Sequence, residues 1–156
     1  MADYRYIRRA FLGSRRIKAL TWMQECFFVR LMLIADDYGL FEADPAVLRA
    51  TLFPQHLDKI AETDIEDCLE ACRRADLLLL YENTGHQYGM IQRYGQRCMS
   101  APKFPLPPRY TATKVSNTRW DFSMAPADSP GLTETHGATP RPSETLGDSQ
   151  STSETL

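Results

Sequence analysis

Thr21-Trp22-Met23-Gln24-Glu25-Cys26-Phe27-Phe28-Val29-Arg30-Leu31-Met32-Leu33-Ile34-Ala35-Asp36-Asp37-Tyr38-Gly39-Leu40-Phe41-Glu42-Ala43-Asp44-Pro45 holds a helix start, a helix stop, an extended piece and a second helix start in one run. Thr21 and Gln24 have the spacing of a capping box, in which the hydroxyl takes one orphan backbone N–H and the amide reaches back to another. The nearly all-apolar segment to Ala35 predicts a helix packed on by several neighbours, because Gln24, Glu25 and Arg30 make too narrow a polar face for a surface helix. Gly39 supplies the left-handed conformation that ends it, and Leu40-Phe41-Glu42 is a short extended piece. Asp44-Pro45 reads as N-cap plus first helical residue of a short helix through Val47, Leu48 and Leu52, stopped by Pro54.

On the C-terminal side, Thr63-Asp64-Ile65-Glu66 repeats the capping-box pattern, and Ile65, Leu69 and Cys72 follow at helical spacing to about Ala75. This is the third helix of the core. Leu77–Glu82 and Gln87–Tyr94, joined by the turn residues Asn83-Thr84-Gly85, predict a β-hairpin. Ahead of Thr21, Tyr4–Phe11 reads as a strand or an arm, and Ser14 as the cap of a short helical turn with Ile17 and Leu20. The order short strand, helix, short strand, two helices, hairpin predicts an α+β, mainly α fold: a winged helix with a three-helix core and a small antiparallel hairpin wing over residues 1–101.

Pro102, Pro105, Pro107 and Pro108 favour extended polyproline II, so 102–124 is expected to be a Pro-rich linker, a stiff spacer more than a ligand for an SH3-like partner. Trp120 and Phe122 are the last candidates for docking back. Over 125–156, 18 of 32 residues are Ser, Thr, Pro or Gly and SETL occurs twice, which predicts a disordered tail. The proteolysis-resistant core is expected to end near Ser100–Arg109.

No stretch approaches the ~18 unbroken apolar residues of a membrane span, and the Arg-studded N-terminus is unlike a signal peptide, so a cytoplasmic protein without membrane contact is expected. Cys68 and Cys72 share a helix face but lack two further ligands nearby, and are expected to be small core side chains in a reducing compartment, with no metal and no cofactor. Asp36-Asp37 at a helix end reads as structural. There is no P-loop and no nucleophile constellation, and His56, His86 and His136 have no partner in sequence, so no catalytic residues and no enzymatic activity are expected.

The strings Arg5-Tyr6-Ile7-Arg8, Ile34-Ala35-Asp36-Asp37-Tyr38-Gly39-Leu40-Phe41, Asp44-Pro45, Leu52-Phe53-Pro54, Asp64-Ile65, Leu79-Leu80-Tyr81-Glu82, Gly89-Met90-Ile91 and Lys103-Phe104-Pro105 resemble the N-terminal winged-helix domains of phage and prophage replication-initiation or replisome-organiser proteins. The resemblance covers about Tyr4 to Pro108. It implies a DNA-binding module in a bacterial host cell that marks an origin or loads other replication proteins. The low-complexity tail stands where such proteins often carry an assembly or helicase-interaction domain, so a stand-alone or shortened version is expected.

Charge sharpens that expectation. The chain carries a net charge of −2 and a pI near 5.9, whereas DNA-binding domains commonly exceed a pI of about 9. The average hides a division: residues 1–110 hold 15 basic and 14 acidic side chains, and 111–156 hold 3 and 6. Arg5, Arg8, Arg9, Arg15, Arg16 and Lys18 cluster among Tyr4, Tyr6 and Phe11, a mixture suited to phosphates and stacked bases. Asp64, Glu66, Asp67 and Glu70 on the third helix would repel a phosphate groove. The expected DNA contacts are therefore the arm together with Gln87, Arg93 and Arg97, assigned to the wing. In the alternative, the acidic helix docks a replication protein, a regulatory partner or a second copy without touching DNA.

Overall fold

The computed structural model describes residues 4–125; the tail expected over 125–156, with His136, lies beyond Ala125 outside the described residues. A 3-10 turn, Arg9–Gly13, precedes α1 (Arg15–Lys18), α2 (Trp22–Ile34), β1 (Leu40–Glu42), α3 (Pro45–Leu52), α4 (Glu62–Arg74), β2 (Leu78–Asn83), β3 (His86–Ile91), β4 (Tyr110–Ser116) and β5 (Arg119–Met124). The fold is mixed α/β, with four α-helices and two small antiparallel sheets among the described residues.

Local chemistry accounts for most boundaries. Both capping-box bonds of α2 form: the Thr21 hydroxyl accepts from Gln24 N–H at 3.4 Å, and the Gln24 side chain accepts from Thr21 N–H at 2.9 Å. Asp44 caps α3 by accepting Val47 N–H at 2.9 Å, with Pro45 at the first helical position. α4 is capped two residues before the expected cap. Ala61 is its N-cap, and Asp64, three residues on, accepts Ala61 N–H at 2.7 Å. Carboxylate back-bonding needs only the third position to be acidic, so Thr63 falls inside the helix instead of starting it. Thr84 and Gly85, both at positive φ (50° and 80°), make the two-residue turn of the β2–β3 hairpin, the handedness that matches strand twist.

β3 is the central strand, pairing with β1 on one side and β2 on the other, both antiparallel. Its register sets Gly89 opposite Phe41 and Leu80. One sheet face, with Phe41, Leu78, Leu80 and Ile91, joins the helices in the main core around Phe27, Leu31, Leu48, Leu52, Phe53, Ile65 and Cys72.

The opposite face is also covered. Tyr38, Leu40 and Met90 are buried there beneath Phe104, Leu106, Tyr110, Ala112, Trp120 and Phe122. Residues 102–124, expected as a Pro-rich linker, therefore form a layer of the folded unit. The prolines carry the chain across the sheet, Pro107 is fully buried, and the Tyr81 hydroxyl donates to the Pro105 carbonyl. β4 and β5 then pair as a hairpin whose inward side chains alternate with exposed ones. Hydrophobic cover for the second sheet face overrides the proline signal. The unbroken run Leu77-Leu78-Leu79-Leu80-Tyr81 could have revealed it, since a strand apolar on both faces needs both faces covered.

Limited proteolysis of the full chain should leave a resistant core that includes Met124, read by mass spectrometry. Residues 1–101 alone should melt at a lower temperature than 1–125, because Tyr38, Leu40 and Met90 lose their cover. Cleavage between Pro102 and Arg109 as the first event would refute the hairpin layer.

Candidate nucleic-acid interface

The turn after α2 organises the surroundings of the N-terminal arm. Asp36 is 4% exposed. One carboxylate oxygen accepts the Tyr38 and Leu40 N–H groups, each at 2.9 Å, and the other accepts Lys103 N–H at 3.0 Å. Gly39 takes a φ of 80° here, with Tyr94 and Ile91 packed close by. Burial pushes the Asp36 pKa up from its ordinary value of 3.8, against the pull of the three N–H groups and with a smaller push from Asp37. A raised carboxyl pKa favours the folded state below the unfolded value, and that gain is lost as pH rises through the folded pKa. The stability advantage of the wild type over Asp36→Asn should therefore shrink as pH is raised from 3.8 towards neutrality in urea titrations; a widening gap would contradict it.

Asp37 ties in the arm. Its Oδ1 pairs with Arg5 at 3.0 Å, and Arg5 also donates to the Ala35 carbonyl at 2.6 Å. The Arg5 side chain is only 4% exposed. Arg5, expected among the DNA contacts, is thus withdrawn into an internal ion pair and fastens the arm. One residue on, Tyr6 N–H donates to the Gln96 side chain at 3.3 Å and the Gln96 amide donates to the Tyr6 carbonyl at 2.9 Å. The arm therefore lies along the segment that follows β3, as coil and not as a strand.

That segment is the other half of the site. Arg93 holds a φ of 55° and Gly95 a φ of 66°. A Cβ on Gly95 would lie 3.0 Å from an Arg8 guanidinium nitrogen, so Gly95 leaves room for the Arg8 head group. Two grooves meet here. One, of about 320 Å³, is lined by Tyr6, Arg8, Phe11, Arg16, Gln92 and Arg93. The other, of about 740 Å³, runs towards the β4–β5 hairpin past Arg93, Arg97, Arg119, Trp120 and the carboxylates Asp37 and Asp121. Arg93 lines both. Among the described residues Arg8, Arg93, Arg97 and Arg119 make no ion pair, whereas Arg16 pairs with Asp76 at 2.8 Å.

The remaining candidates fall elsewhere. Arg9, Arg15 and Lys18 are exposed on the 3-10 turn and α1 and line neither groove. Gln87 sits on the exposed hairpin with its amide 3.4 Å from Glu82. Arg93 and Arg97, assigned to the wing, lie beyond the end of β3 at Ile91, and no Arg or Lys occurs from Leu78 to Ile91. The period-two pattern suggested a strand to Tyr94, but the left-handed turn at Arg93 cuts it short. Arg119, Gln92, Gly95 and Gln96 were missed because their partners are distant in sequence.

On α4, Asp64 is occupied at the helix start, and Glu70 binds Arg73 through two 2.7 Å bonds, with Arg74 at 3.7 Å. The Arg73 bonds hold the Glu70 carboxyl below its ordinary range. Glu62, Glu66 and Asp67 stay exposed and make no ion pair among the described residues. Asp76, the partner of Arg16, follows the C-terminus of α4, so α1 adjoins the basic end of a helix whose acidic start is roughly 18 Å away. Burial raises the Cys68 and Cys72 thiols to about 11 and about 12, which leaves them protonated core side chains. Among the described residues no group of three or more His, Cys, Asp or Glu is placed to hold a metal ion, and no helix is long and apolar enough to cross a membrane.

No protein-family model, curated protein or solved structure matches this chain.

Proposed function

We propose that this chain is a winged-helix DNA-binding protein without catalytic activity, serving DNA replication in a phage or prophage as the sequence resemblance implies. The helix and strand order and the β1-β3-β2 sheet support the winged-helix reading, with α2, α3 and α4 as its three helices and the Thr84-Gly85 turn as the wing tip. DNA contact is supported above all by the meeting of arm and post-β3 segment: Arg8 against Gly95 and Arg93 in both grooves, guanidinium groups far apart in sequence and free of ion pairs. Phosphates supply most sequence-independent affinity, and unpaired arginines are the side chains suited to them. The acidic start of α4 points to binding away from that helix.

Arg93 adds a separable signature. A left-handed conformation costs a non-glycine residue roughly 1–2 kcal/mol, and glycine's extra unfolded-state entropy offsets about half of what it would relieve. Arg93→Gly should therefore fold at least as stably as the wild type while binding DNA more weakly. Labelled duplex and single-stranded DNA, titrated with the full chain at two salt concentrations, should show binding with a steep salt slope. Arg8→Glu plus Arg93→Glu should reduce it by about tenfold or more. Absence of binding to either form at low salt would refute the proposal.

A second reading, a protein-docking adaptor, is favoured by the unpaired exposed carboxylates Glu62, Glu66 and Asp67. It would be preferred if DNA does not bind and a replication protein is retained by the wild type but not by Glu66→Lys plus Asp67→Lys.

A further inference from the structure

Tyr4 and Tyr6 are 64% and 71% exposed, which leaves most of both aromatic rings open to a ligand. They are nonetheless held in place. The rings make an edge-to-face pair at 5.6 Å and 88°. Between them, Arg5 is anchored in its buried ion pair with Asp37, and the Tyr6 backbone is fixed at both its polar groups by Gln96. Such anchoring fixes the backbone beneath both rings before any ligand arrives, lowering the ordering cost of binding. Tyr6 also lines the smaller groove beside Arg8 and Arg93.

We propose that the arm binds single-stranded DNA, with Tyr4 and Tyr6 stacking on unpaired bases and Arg8, Arg93 and Arg97 taking the adjoining phosphates. This rests on the DNA-binding reading and narrows its ligand. Bases in a duplex are already stacked on both faces and present only edges and phosphates to a protein, so exposed rings gain little from it. An unpaired base offers a π-face to any aromatic side chain, worth about 1–3 kcal/mol per base. The charge pattern agrees, because a flexible strand can follow Arg8, Arg93, Arg97 and Arg119 through the two grooves, past Asp37, which Arg5 neutralises, and the single carboxylate Asp121, while staying clear of the carboxylates of α4.

The test is fluorescence anisotropy with the full chain, a labelled oligothymidine and a duplex of equal length at the same salt. The single strand should bind at least tenfold more tightly. Tyr4→Ala plus Tyr6→Ala should lose about thirtyfold or more for the single strand, lose clearly less for the duplex and melt like the wild type, while Tyr4→Phe plus Tyr6→Phe should restore binding. Equal or tighter duplex binding, or single-strand binding indifferent to the alanines, overturns this proposal yet leaves DNA binding standing. Absence of binding to either probe at low salt removes both.

Discussion

Asp36→Ala should lose roughly 3–6 kcal/mol of folding stability, a large part of the roughly 5–15 kcal/mol that native domains have. Three backbone N–H groups, of Tyr38, Leu40 and Lys103, depend on this one carboxylate, and the side chain is 4% exposed. Alanine removes the acceptor and leaves the donors inside, where each unsatisfied donor costs about 1–3 kcal/mol. The damage should also spread, since the same turn carries Asp37, whose Oδ1 holds Arg5 and with it the arm. Urea unfolding followed by far-UV circular dichroism measures the loss. A decrease under about 1 kcal/mol would mean that water replaces the carboxylate and that the turn is less closed than described.

Gly89→Ala should cost about 3 kcal/mol or more. A Cβ at that position would stand 2.2 Å from Cζ of Phe41 and 2.7 Å from its Cε1 and Cε2, inside any allowed contact. Gly89 is in the middle of the central strand, paired on both sides, so its backbone cannot retreat without breaking two ladders. The Phe41 ring must leave instead, and it is 1% exposed within the main core. Its expulsion approaches the cost of deleting a buried phenylalanine, about 3–5 kcal/mol. A double-mutant cycle isolates the cause: in a Phe41→Ala background the added methyl should be nearly neutral, a coupling of about 3 kcal/mol. Additive losses would show that the ring and the glycine do not meet.

Both positions show how far the residues speak without the fold. Asp36-Asp37-Tyr38-Gly39 is legible as a structural helix stop, because glycine's freedom at positive φ and a carboxylate beside free N–H groups act within a few residues. The capping box at Thr21, the Asp44-Pro45 start and the Thr84-Gly85 turn are legible for the same reason. Gly89 is not, since its requirement is a phenyl ring from a strand nearly fifty positions earlier. Nor is the hairpin layer, for the prolines before it spell a linker locally while Trp120 and Phe122 find cover only across the sheet.

The candidate site divides in the same way. A cluster of arginines and tyrosines near the N-terminus is plain in the sequence, as is an acidic third helix. That Arg5 is buried against Asp37 while Arg8 is not, and that Arg93 belongs to a groove instead of a wing, depends on where the arm comes to rest.

The sequence alone therefore determined the helices, the first three strands, their turns and the charge of each segment, because caps, prolines, glycines and periodicity act over a few residues. The tertiary structure decided which charges are neutralised within the fold and which face solvent, and it turned a proline-rich stretch into a second covering layer. Ion pairing and burial depend on distances in space, and residues 5 and 37, or 38 and 122, become neighbours only when the chain has closed around its sheet.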